Sequence, residues 1–180
     1  MRQPIYRAPA VVFVLLVLVS AAPVAAQDAA AKIKAASAVL LGPPDATVTQ
    51  ADVVKALVEL MDVAVFISGE SPYTQEIHER INVARDLMMK TSIFNDKARQ
   101  YVSFAHRMLS GGKKYEKPKE LEEFVTPQEL QEKSRKYGAS LADGALAELG
   151  RGRKLEAARL LLELVLAVVT PVSGTPVPMP

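Results

Sequence analysis

The chain contains no cysteine and no tryptophan, and only two of its 180 residues are histidine. The absence of cysteine excludes disulfides, thiolate catalysis, zinc–cysteine sites and C-x-x-C-H haem attachment. The sequence also lacks the H-E-x-x-H, G-x-S-x-G, P-loop and G-x-G-x-x-G motifs. Side-chain packing alone must therefore hold this fold together, and no familiar catalytic set is present in the sequence.

Long apolar runs are few, and the first lies at the N-terminus. Arg2 and Arg7 precede an unbroken apolar stretch over residues 10–19, and Val24-Ala25-Ala26 supplies small residues for cleavage. This three-part pattern predicts a secretory signal peptide over residues 1–26. The apolar stretch is shorter than the about 20 residues of a transmembrane helix. We expect a periplasmic or extracellular protein, with no transmembrane span after cleavage near Ala26.

An excess of charge of one sign is also missing. The chain has 22 Lys plus Arg and 20 Asp plus Glu, and the two arginines of the signal peptide leave 20 of each in the mature protein. The pI of 8.8 therefore describes the precursor. Four lysines in residues 113–119 are followed at once by glutamates, which is typical of a solvated loop. We expect no nucleic-acid partner.

The sequence predicts several helix starts. Thr49 and Thr126 each supply a capping hydroxyl with a carboxylate three residues later. Ser71 followed by Pro72 predicts a third start, because proline is favoured at the first helical position.

Strand-like alternation of useful length is absent, whereas helical periodicity recurs along the chain. We predict an all-α, antiparallel helical bundle of about five helices, in one domain over residues 27–169. The helices after Thr49 and after Lys154 are the most apolar, so we expect them at the centre. Residues 170–180 contain four prolines and are predicted to be a disordered tail.

One segment, KTSIFNDK over residues 90–97, leaves the helical pattern undecided. The apolar register continues through it without glycine or proline. However, it contains six consecutive middling-to-poor helix formers, and Asn95 is a good N-cap. A single helix from Pro72 to Leu109 would also be unusually long for a globular protein. We predict a break or sharp kink here.

The two histidines give this break a functional meaning. His78 and His106 lie 14 residues before and after Ser92, so a chain that folds back at Ser92 would set them level on adjacent helices. With a methionine such as Met88, two imidazoles could bind copper or non-covalent haem. Solvation of His78, and burial of His106 with a hydrogen bond, would explain the same residues without a ligand.

Two further patterns point to catalysis less directly. Ser110 and Lys113 match the S-x-x-K spacing of serine acyl-enzymes, but they follow a helix end and lack the partner motifs. A hydrolase built on carboxylates would have Glu59, Asp62 and Glu76 as its only semi-buried candidates.

Residues 145–165, ALAELGRGRKLEAARLLLELV, resemble half of a tetratricopeptide hairpin. The resemblance covers 21 residues, and no second copy appears 34 residues earlier. A plain αα-hairpin fits the segment equally well, so we do not expect array-type peptide binding.

These patterns favour an exported, non-enzymatic helical protein with a partner-binding or structural role. The expected partner is a protein or peptide, homo-oligomerisation stays open, and no cofactor is expected. The alternative is a metal- or haem-binding bundle that uses His78, His106 and a methionine ligand such as Met88.

Overall fold

The computed structural model describes residues 10–42, 47–121 and 126–168. These residues form helices and connecting segments, without a strand. The α-helices are α1 Ala10–Leu41, α2 Gln50–Ile67, α3 Thr74–Thr91, α4 Asp96–Leu109, α5 Pro127–Gly150 and α6 Lys154–Ala167, with a short 3₁₀ helix at Lys119–Leu121. The all-α prediction is confirmed, with six α-helices in the described residues rather than about five.

The predicted capping boxes are confirmed at two helix starts. The Thr49 hydroxyl accepts a hydrogen bond from the Asp52 backbone N–H, and the Asp52 carboxylate accepts one from the Thr49 N–H in return. Thr126 and Glu129 make the same exchange before α5. Each box satisfies N–H groups that have no partner inside the helix.

The prediction that Ser71 caps α3, with Pro72 as its first residue, is wrong, because the N-cap is Tyr73 and the helix begins at Thr74. The Ser71 hydroxyl instead accepts a hydrogen bond from the Tyr73 N–H, and the Thr74 hydroxyl donates to the Ser71 carbonyl. The Ser71 side chain therefore closes a local turn with the backbone of Tyr73. This turn takes the place of its use as a helix cap.

The chain turns back between α3 and α4, which confirms the predicted break. Ser92 adopts a left-handed conformation with φ 56° and ψ 23°, and ends α3. Asn95 then caps α4 by accepting a hydrogen bond of 2.9 Å from the Ala98 N–H. The intervening Phe94 is buried, which anchors the turn to the core.

Helices α2 and α6, the two that the sequence predicts to be central, pack against each other at the centre. Helices α1 and α5 cover one side of this pair, and α3 and α4 cover the other. Leu57 and Leu60 of α2, with Leu161 and Leu162 of α6, are completely buried. Each such side chain contributes about 1.5–3 kcal/mol relative to an exposed one.

Helix α1 contains residues 10–26 of the predicted signal peptide and runs through Ala26 without interruption to Leu41. Cleavage after Ala26 stays a prediction. The predicted tail, residues 170–180, lies outside the described residues. Where side chains are described, none of the helices is both long and apolar enough to cross a membrane.

Candidate functional site

A polar cluster lies between α4, α5 and α6, centred on Glu163. Helix α4 supplies His106, which is buried, and its Nε2 lies 3.8 Å from Glu163 Oε2. Helix α5 supplies Tyr137, whose hydroxyl donates a hydrogen bond of 2.7 Å to Glu163 Oε1. Arg159, one turn before Glu163 on α6, donates to Oε2 at 2.5 Å. The carboxylate thus joins three helices in an otherwise apolar core.

These contacts keep Glu163 ionised. The adjacent His106 ring is the largest cause that lowers the pKa of Glu163, and hydrogen bonds from Tyr137 and Arg159 outweigh burial to bring it to about 2. The 3.8 Å separation from His106 is too long for a direct hydrogen bond, so Tyr137 and Arg159 make the direct bonds. Burial, and then the hydrogen bond to Glu163, raise the pKa of Tyr137, which therefore stays a neutral donor.

Arg159 lies between two carboxylates. Its Nε donates to both oxygens of Glu156, at 3.0 and 3.1 Å, while Nη1 bonds Glu163. The hydrogen bond from Arg159 is the largest of the causes that lower the pKa of Glu156. Because the guanidinium is shared in this way, the charges on α6 largely compensate one another.

A cleft of about 400 Å³ opens above this cluster. Ser110, at the end of α4, stands at its edge, and its hydroxyl donates a 2.8 Å hydrogen bond to the His106 carbonyl. The same oxygen lies 3.2 and 3.4 Å from the two ring nitrogens of His106. Within the described residues, no hydrogen bond joins the Ser110 side chain to that of Lys113. The S-x-x-K pair is therefore not arranged as a nucleophile and its base.

Tyr115 separates this cleft from a second, larger one of about 800 Å³. Its ring meets the His106 ring edge to face, with centroids 6.0 Å apart. The second cleft lies where the start of α4 meets the end of α6. Arg99 lines it, and its Nη1 donates to the Leu166 carbonyl at 2.5 Å.

The predicted metal ligands do not converge. His78 is exposed on α3, whereas His106 is buried beside Glu163. Met88 is also buried, but it lies ten residues after His78 on the same helix. That spacing places the two about 15 Å apart along the axis, at about 1.5 Å per residue. One ion cannot contact both, and the described residues contain no cluster of three or more His, Cys, Asp or Glu suited to a metal.

The carboxylates considered for a hydrolase do not form one group. Glu59 is partly buried and Asp62 is exposed on α2, where both line one cleft, whereas Glu76 is not among the residues that line it. Asp62 accepts a hydrogen bond of 3.3 Å from Arg85 across the α2–α3 pair. Its carboxylate is therefore already paired with a cation.

Sequence reasoning missed Glu163 as the centre of the buried cluster. A usable signal was present, because Glu163 is a single acidic residue inside the apolar run LLLELVLA. A charge in a buried helix must be paired, so this position predicts partners on neighbouring helices. The identity of those partners, Tyr137 and His106, depends on tertiary packing.

Similarity to known proteins assigns no role to this cluster or to either cleft. The chain matches no protein-family model, and no curated protein or solved structure matches it significantly. The functional argument therefore depends on the geometry and chemistry of the residues themselves.

Proposed function

We propose that the protein is exported and acts as a non-enzymatic, protein-binding helical bundle. Its binding surface is the outer face of the α3–α4 hairpin, which we define as Arg80, Val83, Lys97, Phe104 and Arg107. The observation that carries this proposal is Phe104, whose side chain is 50% exposed beside the Arg80 guanidinium.

Phe104 joins the two helices of the hairpin face. The Arg80 guanidinium carbon lies 5.6 Å from the centroid of its ring, which is within the range of a cation–π contact. Val83 follows Arg80 by three residues, so both share one side of α3. Exposed aromatic and arginine side chains are the residue types that dominate the energy of protein interfaces.

Exposed apolar side chains are concentrated on this hairpin. A single exposed apolar residue needs no explanation, whereas a group of them marks an interaction surface. Four of the eight exposed large apolar side chains among the described residues belong to the hairpin: Val83, Met89, Ile93 and Phe104. Two of them, Val83 and Phe104, lie on the face defined above.

Charge indicates the kind of partner. Lys97 and Arg107 are exposed on α4, seven residues before and three residues after Phe104, and therefore flank it on the same face. Together with Arg80 they place three cations close to Phe104. An isologous dimer that brought these cations together would oppose like charges, so we propose a different protein as the partner. Its surface should present an apolar patch bordered by carboxylates.

Two features support the remaining parts of the proposal. The basic, apolar and small-residue segments that end at Ala26 support export. The Ser110 hydroxyl donates its proton to a backbone carbonyl, which supports a binding role over acyl transfer. N-terminal sequencing of the exported protein tests the first point, with a mature N-terminus at Gln27 as the expected result.

Site-specific photo-crosslinking in living cells tests the proposed surface. Position 104 is replaced by a photoreactive phenylalanine analogue, and Phe66, which is 65% exposed on α2, provides the matched control position. We expect a cross-linked partner from position 104 only. With the purified partner, Phe104→Ser should weaken binding by about tenfold or more, and Phe66→Ser should leave it unchanged.

Either of two results would overturn the proposed surface. One is equal cross-linking from positions 104 and 66. The other is a cross-link from position 104 to a second copy of this chain, which would replace the hetero-partner by a homo-oligomer.

A further inference from the structure

The larger cleft combines polar and apolar walls. It lies between the start of α4, the end of α6 and the segment that carries Tyr115 and Lys117. Its volume is about 800 Å³. Aromatic, charged and aliphatic side chains line it, among them Phe94, Asp96, Arg99, Tyr115, Lys117 and Leu166.

Arg99 brings an incompletely satisfied cation to this cleft. Nη1 caps the end of α6 through the Leu166 carbonyl, and the guanidinium carbon lies 4.7 Å from the centroid of the Phe94 ring. Among the described residues, the Arg99 guanidinium makes no ion pair with a carboxylate and no further hydrogen bond. Burial lowers the pKa of Arg99, which reflects the loss of water around its charge.

Tyr115 brings a second unsatisfied group, independent of the first. Its hydroxyl oxygen is buried and has no hydrogen-bond partner in the described part of the chain. Such an oxygen is unusual, because buried polar side-chain atoms nearly always have a partner. Burial, as the largest cause, raises the pKa of Tyr115 to about 12, so the phenol keeps its proton at neutral pH.

We propose that this cleft binds a small organic carboxylate, whose oxygens accept hydrogen bonds from Arg99 and Tyr115 while its apolar body packs against Phe94 and Leu166. The free part of the guanidinium fork suits a carboxylate, because it offers parallel N–H donors. The phenol of Tyr115 adds a neutral donor.

The local charge favours a monoanion. Arg99 and Lys117 carry positive charge and Asp96 carries negative charge, which leaves a net charge of one positive unit at the cleft. The single negative charge of a carboxylate neutralises this positive charge. The two negative charges of a phosphate monoester dianion would exceed it. None of the five residues that define the hairpin face lines this cleft, so either proposal can fail without the other.

The test uses the full-length mature protein, with phenylacetate and phenyl phosphate as the two probes. Binding is followed at about pH 7 by NMR, through the Arg99 side-chain N–H resonance and backbone amides near Tyr115. We expect saturable binding of phenylacetate at about millimolar concentration or below. Arg99→Gln should weaken this binding by about tenfold or more, because a charge-assisted hydrogen bond is lost.

Two further variants keep the result interpretable. Tyr115→Phe removes only a hydroxyl that has no partner in the described chain, so the fold should persist while binding weakens by about fivefold. Arg85→Gln, which alters an exposed arginine paired with Asp62, should leave binding unchanged.

Three outcomes would overturn the assignment. The first is the absence of saturable phenylacetate binding. The second is binding that Arg99→Gln and Tyr115→Phe both leave unchanged. The third is tighter binding of phenyl phosphate than of phenylacetate, which would assign the cleft to phosphate esters.

Discussion

The Tyr137 hydroxyl donates a hydrogen bond of 2.7 Å to the Glu163 carboxylate, and so connects α5 to α6 through the buried face of their hairpin. The same carboxylate also accepts a hydrogen bond from Arg159 and lies beside His106. It therefore connects α4, α5 and α6. A partly buried charge of this kind is favourable only while its partners are in place.

Ionised Glu163 should make stability depend on pH. Its pKa is about 2 in the folded protein and 4.5 in the unfolded chain, so its stabilising contribution is complete above about 4.5 and is lost as pH falls towards 2. The shift corresponds to at most about 3 kcal/mol. Water in the cleft screens part of this, so we expect about 1–2 kcal/mol.

Urea unfolding at several pH values measures this effect. Glu163→Gln should lower the free energy of unfolding at neutral pH and flatten its dependence between pH 4.5 and 2. Glu79→Gln, which alters an exposed glutamate on α3, should retain the wild-type pH dependence. Identical pH profiles for Glu163→Gln and the wild type would show that Glu163 does not carry the effect.

Tyr115 and Tyr137 should respond differently to removal of the hydroxyl. Tyr137→Phe removes a donor from partly buried Glu163, so we expect a loss of about 1–2 kcal/mol. Tyr115→Phe removes a buried hydroxyl without a described partner and should be neutral or stabilising. Chemical denaturation of both variants distinguishes the two environments, and a similar loss for both would mean that Tyr115 has a partner after all.

The turn at Ser92 should accept glycine readily. A left-handed conformation costs about 1–2 kcal/mol for a residue with a Cβ, and the greater freedom of glycine in the unfolded chain offsets about half of this gain. We therefore expect Ser92→Gly to raise the free energy of unfolding by about 0.5 kcal/mol. Ser92→Val should lower it, because a β-branched side chain is disfavoured at φ 56°.

Thermal unfolding measures both variants. Ser103→Gly provides the control, since it places glycine inside α4 and should lower stability by about 0.5 kcal/mol. Equal effects of glycine at positions 92 and 103 would contradict the role assigned to the left-handed turn.

Local signals made much of the helix framework predictable from sequence. The Thr49 and Thr126 caps and the break at Ser92 depend on a few neighbouring residues, so short-range chemistry suffices to locate them. The central position of α2 and α6 followed from their apolar composition. The start of α3 failed because the Ser71 hydroxyl has two local uses, and sequence alone does not decide between a turn and a cap.

The candidate site could not be predicted from local sequence patterns. His106 and Glu163 are 57 residues apart in sequence, and no local pattern pairs them. The orphaned Tyr115 hydroxyl is likewise a property of packing, because it depends on which groups surround it after folding. The histidine pairing that the sequence suggested placed the right helices side by side, but it did not specify which side of each helix the rings occupy.

Two glycines in α5 offer a matched test of how closely the helices approach. A Cβ at Gly138 would lie 2.6 Å from Leu41 Cδ2 and 3.1 Å from Leu164 Cδ1, whereas at Gly144 it would be 3.4 Å from Leu160 Cδ1. Leu41 is partly exposed and its terminal methyl can move, but Leu164 is completely buried. Rotation of the Leu41 side chain alone therefore does not relieve the crowding at Gly138.

Alanine should separate the two positions by the sign of its effect. Helix propensity favours alanine over glycine by about 1 kcal/mol at both sites. Gly144→Ala should retain this gain, because its contact is ordinary van der Waals packing. At Gly138 overpacking costs about 1–3 kcal/mol, so Gly138→Ala should be destabilising overall. Urea unfolding of both variants measures the difference, and a gain at both positions would mean that α1 and α6 move aside from α5 at little cost.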